Sequence, residues 1–343
     1  MPDPSSPDRG VTDHAMSDHA TPDAMTPDPD LDDRAVFRAE TARIVGSGLV
    51  AAECRALTGG TPDASGVASC DSIDRIGRAA HVHHGDRLVA TATGFDELVG
   101  RVEDAFAGAV ASRVDRFRVD VVDPLGLLPI GTMDATVRLA DVIHAGPDLD
   151  EPRHRFVVLV RPESVEFCGR LIAADGSWAL HEAAPWTTSS SLDARTARAL
   201  VNLVPDARSV HDPCCGAGSI VVAAASVGLA TTASDKQPAM VGMTQLNLEH
   251  FGLSADVSRG DAREVVVDVD AVVTDLPYGR AIDADPDDRA HILARIAESA
   301  PAAVVVAVDD LSDQLRSAGF TSVTTCTVVK RRGFARTVHV ARR

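Results

Sequence analysis

Four short motifs in the second half of this 343-residue chain hold residue types that could do chemistry together. The first, SVHDPCCGAGSI, sets Asp212 just ahead of a turn containing Gly216 and Gly218. The second, TTASD, ends on Asp235, and the third, GDARE, carries Asp261. The fourth, DAVVTDLPYG, runs from a β-branched stretch into Asp275, Leu276, Pro277 and Tyr278, the chain's sole tyrosine. Glycine lacks the Cβ that would keep a ligand off the backbone, so the 216–218 turn can approach one closely. The carboxylates around it can accept hydrogen bonds from hydroxyls and amines or face a cation. Any one of these aspartates, taken alone, reads equally well as a helix cap or a solvated turn. Three of them on successive strand ends are harder to account for in that way.

The elements that must position them are those of an open α/β sheet. Ser209–Asp212, Ala230–Ser234 and Asp268–Thr274 read as short strands, and an apolar helix runs from about Ile220 to Val227. A further short strand precedes Asp261. Ligands bind beyond the carboxyl ends of strands in such sheets, where every one of these polar residues falls. Downstream, Arg289–Ala300 and Leu311–Ala318 read as helices and Ala303–Val308 as a near-continuous apolar strand. Thr321–Val329 and Phe334–Val340 read as an antiparallel hairpin around KRRG. The pattern predicts a parallel sheet of five strands with an antiparallel pair at its edge. Lys330, Arg331 and Arg332 at the hairpin tip could touch phosphate or sit in an ordinary solvated turn.

The motifs also constrain the ligand. A dinucleotide site wants G-x-G-x-x-G followed by an acidic residue, but the sixth position here is Val221, so the third glycine is absent. Asp212 can meet a cationic amino-acid end or order water around it. Asp235 suits a pair of ribose hydroxyls, and Asp261 can accept from the exocyclic amine of an adenine. An adenosine with a short charged appendage and no pyrophosphate is S-adenosylmethionine. DLPYG adds acceptors for a planar amine, namely the Asp275 carboxylate and the Leu276 carbonyl. Pro277 stiffens the loop, and Tyr278 can stack on a base. An exocyclic amine is a poor nucleophile, and two acceptors on its hydrogens with close alignment to a methyl donor help it attack. Neither a metal nor a covalent intermediate is needed.

The first half is less informative. Residues 1–30 are rich in Pro, Asp, Ser and Thr and read as a disordered acidic leader. Residues 31–175 read as a smaller α+β region. Its expected helices are Arg34–Val45, Phe95–Ala111 and Thr132–Ala145, with a short element at Ser72–Ala80. Its expected strands are Arg87–Thr93, Phe117–Val122, Arg155–Val160 and Cys168–Ala173. HVHHG (His81, His83, His84) reads as a turn rather than a site. A connector, 176–190, carries Trp178 and Trp186, which would pack on both halves or offer a stacking surface. From 191 onward SLDARTARALVNL forms a helix capped by Asp193, expected to cover the mouth of the ligand site.

Composition bounds the rest. The formal net charge is −17 and the sequence pI about 5.0, with Lys236 and Lys330 the only lysines. A hydrated acidic surface fits a salt-rich cell interior, and it disfavours non-specific coating of DNA. Salt screens such fields over a few ångströms, so an RNA substrate stays open. The six cysteines fit neither a disulfide framework nor a zinc cluster, and His211 with adjacent Cys214 and Cys215 bites poorly on one tetrahedral ion. No run is apolar enough to span a membrane and no signal peptide opens the chain, so a cytoplasmic protein is expected. A monomer is the default, since no heptad or long exposed apolar stripe appears.

DPCCGAGSI resembles the D-P-x-C-G-x-G-x-I signature of class I methyltransferases acting on nucleic acids, and DLPYG resembles their (D/N)-P-P-Y motif. The fuller resemblance, from about Ser191 to Arg280, is to archaeal tRNA guanine-N2-methyltransferases acting at guanine 10, here of a haloarchaeal type. That family joins a THUMP region, preceded by a small ferredoxin-like domain, to a Rossmann-like methyltransferase domain. The resemblance implies an α/β fold: a Rossmann-like class I methyltransferase sheet with a smaller N-terminal α+β domain. It implies a THUMP-like RNA-binding region over 31–175, complete or degenerate, and a methyltransferase domain over 191–343. By position, Asp212, Gly216, Gly218, Asp235 and Asp261 would hold S-adenosylmethionine, and Asp275, Leu276, Pro277 and Tyr278 would grip the guanine N2. The implied partner is tRNA, with a small activating protein left open. Leu276 stands where the family has proline, Ser190 where it has glycine, and Pro185–Trp186 lacks a Phe-Phe pair. Methylation of an exocyclic amine in rRNA or DNA is the alternative, as is a non-catalytic RNA-binding relative.

Overall fold

The computed structural model describes residues 36–42, 48–107, 114–277, 286–331 and 334–343. The acidic leader, Tyr278 and Arg332 lie outside them. Two sheets organise the chain.

The first sheet has six strands in the order β2-β1-β3-β6-β5-β4. These are β1 (Phe37–Thr41), β2 (Val67–Cys70), β3 (Val82–Ala92), β4 (Phe117–Val122), β5 (His154–Val160) and β6 (Val165–Ala173). Only β4 and β5 are parallel, and α3 (Thr132–Ile143) connects them. α2 (Phe95–Ala105) buries Phe95, Leu98 and Val102, the stripe its spacing promises. With Phe106, Phe117, Phe156 and Phe167 these residues form an aromatic-rich core. Other parts of the sheet carry paired charges instead. Arg38 grips Glu166 through Nε at 2.6 Å and Nη2 at 2.8 Å, and Arg170 bridges Asp86 and Glu40.

Two expectations fail here. Residues 37–41, expected within a helix, form β1, because FRAET alternates and Ala39 faces the core while Arg38 and Glu40 meet charged partners on β6, two strands away. HVHHG is likewise no turn, since Val82–Gly85 open the long strand β3 and pair with both β1 and β6. α1 (Gly48–Thr58) was not anticipated.

The second sheet has seven strands in the order β12-β13-β11-β10-β7-β8-β9. β7 (Ser209–Asp212), β8 (Ala230–Asp235), β9 (Asp256–Arg259), β10 (Ala271–Asp275) and β11 (Ala302–Ala307) run parallel. β12 (Ser322–Arg331) and β13 (Phe334–Arg342) form an antiparallel pair joined through β13 to β11. Five parallel strands with an antiparallel pair at one edge is the Rossmann-like order of class I methyltransferases, as the hydrophobic pattern predicts. β10 and β11 are buried on both faces, which is why they read as unbroken apolar runs. The flanking helices are α4 (Ala194–Asn202), α5 (Ser219–Ser226), α6 (Pro238–His250), α7 (Pro286–Ser299) and α8 (Ser312–Ser317).

α1 and α4 join the halves. Glu53, fully buried on α1, accepts from the backbone N–H of Ala80 (2.8 Å) and His81 (2.7 Å) and from Asn202 Nδ2 on α4 (2.6 Å). Burial raises the pKa of this carboxyl against the pull of its donors.

Candidate active site

The turn after β7 is built by its neighbours. Cys215 N–H donates to Ser234 O at 3.0 Å and Gly216 N–H donates to Asp235 Oδ2 at 3.0 Å, so the turn is tied to the end of β8. α6 secures its other side: Thr244 Oγ1 donates to Gly216 O at 2.8 Å and Asn247 Nδ2 to Ala217 O at 2.8 Å. Gly216 (φ +54°) and Gly218 (φ +87°) both hold left-handed backbone, which a side chain would strain. A Cβ on Gly216 would meet open space, whereas one on Gly218 would lie 2.8 Å from Thr244 Cγ2. Gly216 leaves room and Gly218 permits packing.

The carboxyl ends of the strands open into a cavity of about 760 Å³. Asp212, Gly216, Asp235, Asp261, Asp275, Leu276 and Pro277 all line it. Of the expected site residues, Gly218 lies behind the turn beside a smaller cavity, and Tyr278 is outside the described residues. The segment just before α4, including Ser190, Ser191 and Leu192, forms another wall. Asp193 caps α4 by accepting from Thr196 N–H at 2.8 Å, as expected, but the helix does not itself cover the cavity. Its apolar side is committed to the core. The connector's tryptophans divide their roles: Trp178 packs on that core under Arg195, while Trp186 is half-exposed and has its backbone held by Asn247.

The carboxylates differ electrostatically. Asp212 is sealed in, accepting from Thr274 Oγ1 at 2.7 Å and Cys214 N–H at 3.1 Å. Burial pushes its pKa up to about 7, with Asp275 and Asp235 adding repulsion against those hydrogen bonds. Asp261 is the opposite case: hydrogen bonds from Arg263 hold it down at about 2. Asp235 already accepts from Gly216 and Gln237 backbone N–H groups, though a carboxylate offers about four acceptor sites. Among the described residues, no three of His, Cys, Asp or Glu converge as metal ligands.

Asp275 ends β10 and is ion-paired through Oδ2 with Arg336 of β13, whose side chain is fully buried. Leu276 clarifies the departure from a proline at this position. Its N–H donates to Val306 O at 2.9 Å, extending the β10–β11 ladder by a bond proline could not make. Its side chain is buried among Leu293, Ile296 and Leu311. The sequence had pointed to neither Arg336, Thr244 nor Asn247. A lone arginine in the otherwise apolar register Arg336, Val338, Val340 was the one available signal.

The residues present fit S-adenosylmethionine. The cavity is acidic, suiting a ligand with a sulfonium and an ammonium, and Asp212 has charge to recover by meeting a cation. Asp235 sits at the strand end where a ribose would be met. Bound there, S-adenosylmethionine supplies an electrophilic methyl group.

Comparison with known proteins agrees on the domain. Residues 183–295 match the UPF0020 family, described as an RMKL-like methyltransferase domain. The tRNA (guanine(10)-N2)-dimethyltransferase of Methanothermobacter thermautotrophicus is 39% identical over 100 residues, 28% of this chain and 30% of that protein. Its Pyrococcus abyssi counterpart is 33% identical over 121 residues, 34% of this chain and 36% of that one. The crystal structure of TrmN from Thermus thermophilus covers 90% of this chain and 100% of its own, at 20% identity and a TM-score of 0.48. The matched segments span about a third of the curated relatives' length and do not single out a haloarchaeal branch. By sheet order the second half of this chain has the class I methyltransferase fold, and within it residues 183–295 are similar to the RMKL-like methyltransferase domain and to segments of the tRNA (guanine(10)-N2)-dimethyltransferases.

Proposed function

We propose that this chain transfers a methyl group from S-adenosylmethionine to the exocyclic N2 amine of a guanine in tRNA, guanine 10 being the position the related enzymes are named for. The product is N2-methylguanosine or its dimethyl form. The observation that carries the reading is the shared cavity: the Asp212–Gly216 turn and the Asp275–Leu276–Pro277 end of β10 line the same space.

In this reading Asp275 and the Leu276 carbonyl accept the two hydrogens of the amine. That draws its lone pair out of conjugation and toward the methyl donor. Asp275 can also take up the proton released as the N–C bond forms. Asp212, Asp235 and Asp261 hold the cofactor end, and Tyr278 stacks on the base. The ring of carboxylates favours entry of a neutral base over a phosphate, leaving the RNA backbone to the rim and to residues 31–175, which we read as a THUMP-like region. Residues 176–190 serve as the connector and 191–343 as the methyltransferase domain. Among the described residues no helix is long and apolar enough to cross a membrane.

The test is nucleoside mass spectrometry on tRNA from cells with and without the gene. Loss of N2-methylguanosine or its dimethyl form at position 10 is the expected result. Unchanged tRNA with loss of a methylated amine in ribosomal RNA would overturn the tRNA assignment.

A further inference from the structure

Arg336 lies at the carboxyl edge of the second sheet, one residue beyond the end of the β11–β13 ladder, where Ala307 pairs with Thr337. Its side chain has no exposure, and it does not line the cavity. It nevertheless holds two groups that do. One is the Asp275 carboxylate, bound through Nη1, and the other is the Ser190 backbone carbonyl, 3.4 Å from Nη2. One buried guanidinium therefore ties the end of β10 to the segment ahead of α4, two walls of the same cavity.

We propose that Arg336 is a positioning residue for methyl transfer, and that it dictates a carboxylate rather than an amide at position 275. The inference rests on the function proposed above. A guanidinium offers five donors and no acceptor, and a carboxylate accepts through both oxygens. With Arg336 on Oδ2, Asp275 keeps acceptor capacity for a substrate amine. An amide has a single acceptor atom. Beside Arg336 that atom turns to the guanidinium, and the NH2 group is presented to the substrate, donor against donor. The pair fixes both the aim of the acceptor and the residue type that can serve.

The test uses four full-length proteins: wild type, Asp275→Asn, Arg336→Met and the double variant. Each is assayed by single-turnover transfer to tRNA, by S-adenosylmethionine affinity and by thermal melting, with Arg336→Lys as the conservative control. Arg336→Met should slow transfer by about 10²-fold, the scale of a 1 Å misplacement, with cofactor affinity little changed. Arg336→Lys should recover part of the loss. Asp275→Asn should be slower still, and adding Arg336→Met to it should raise the rate at least tenfold over Asp275→Asn alone, because the amide is then free to turn. A purely structural arginine would instead make the double variant worse than either single one. That outcome, or an Arg336→Met enzyme as fast as wild type, overturns the inference. If the wild type methylates no RNA, the proposed function fails on its own. The pair is then judged by the melting cycle, where additive losses overturn it.

Discussion

Removing the Asp275 side chain is the obvious way to test its role, and the structure predicts that Asp275→Ala will damage more than the chemistry. The substitution takes away the carboxylate that pairs with the Arg336 guanidinium, whose side chain is fully buried. Breaking a buried ion pair by deleting one partner costs about 3–5 kcal/mol, because the survivor is a charge without compensation. The Asp275 side chain is 16% exposed at a cavity wall, so water can reach the gap. That places the cost near the lower end, at about 3 kcal/mol. For a folding unit of 150–250 residues each kcal/mol moves the midpoint by roughly 2–4 °C, giving a fall of roughly 6–12 °C. Calorimetry or circular dichroism on the purified protein measures it directly. Arg336→Met combined with Asp275→Ala should melt higher than Asp275→Ala alone, since an apolar side chain of similar length leaves no orphaned charge. An Asp275→Ala protein melting within a degree of wild type would refute the reasoning.

The pH dependence of cofactor binding follows from Asp212. Its carboxyl titrates at about 7 when folded against an ordinary 3.8. The stability it contributes is therefore complete below 3.8 and is lost as pH rises toward 7. A cationic ligand favours the ionised form, so S-adenosylmethionine should bind more tightly as pH rises from 5 to about 7 and should release a proton. Calorimetric titration in buffers of different ionisation enthalpy detects that proton, and Asp212→Asn should abolish it. Leu276→Pro, which would restore the motif's second proline, should destabilise by about 1–3 kcal/mol by orphaning the Val306 carbonyl. A melting point equal to wild type would contradict that role for the N–H.

Where the sequence was legible, one physical signal dominated. β4 was readable to the residue because FRVDVV alternates, and β7 because SVHD is bounded by the charged PDAR stretch on one side and the glycine turn on the other. The Asp193 cap was readable because the side chain and its acceptor geometry are local. Residues 37–41 were not, because two of the five are charged and the partners that let those charges be buried, Glu166 and Arg170, lie far along the chain. The same limit hid Arg336, whose partners are 61 and 146 positions away. α6 went unread since its polar residues Thr244 and Asn247 face inward to hold the glycine turn, which breaks the amphipathic pattern.

These missed residues share a role. Arg336, Thr244 and Asn247 are polar, buried and spent on backbone or carboxylate groups of the cavity wall rather than on the cavity itself. Asn247 joins the glycine turn to the connector at Trp186, and Arg336 joins Asp275 to Ser190. Each thus ties one edge of the 185–192 segment to a different strand end. Asn202 and Arg78 continue the same logic into the first half, with Arg78 Nε donating to Asn202 Oδ1 at 2.7 Å beside Glu53. The 185–192 segment, which supplies part of the cavity wall, is thus held from both directions. The carboxylates that face the ligand could be found by type and spacing. The cation and amides that aim them could not, because a buried polar residue is defined by the partner it finds in three dimensions.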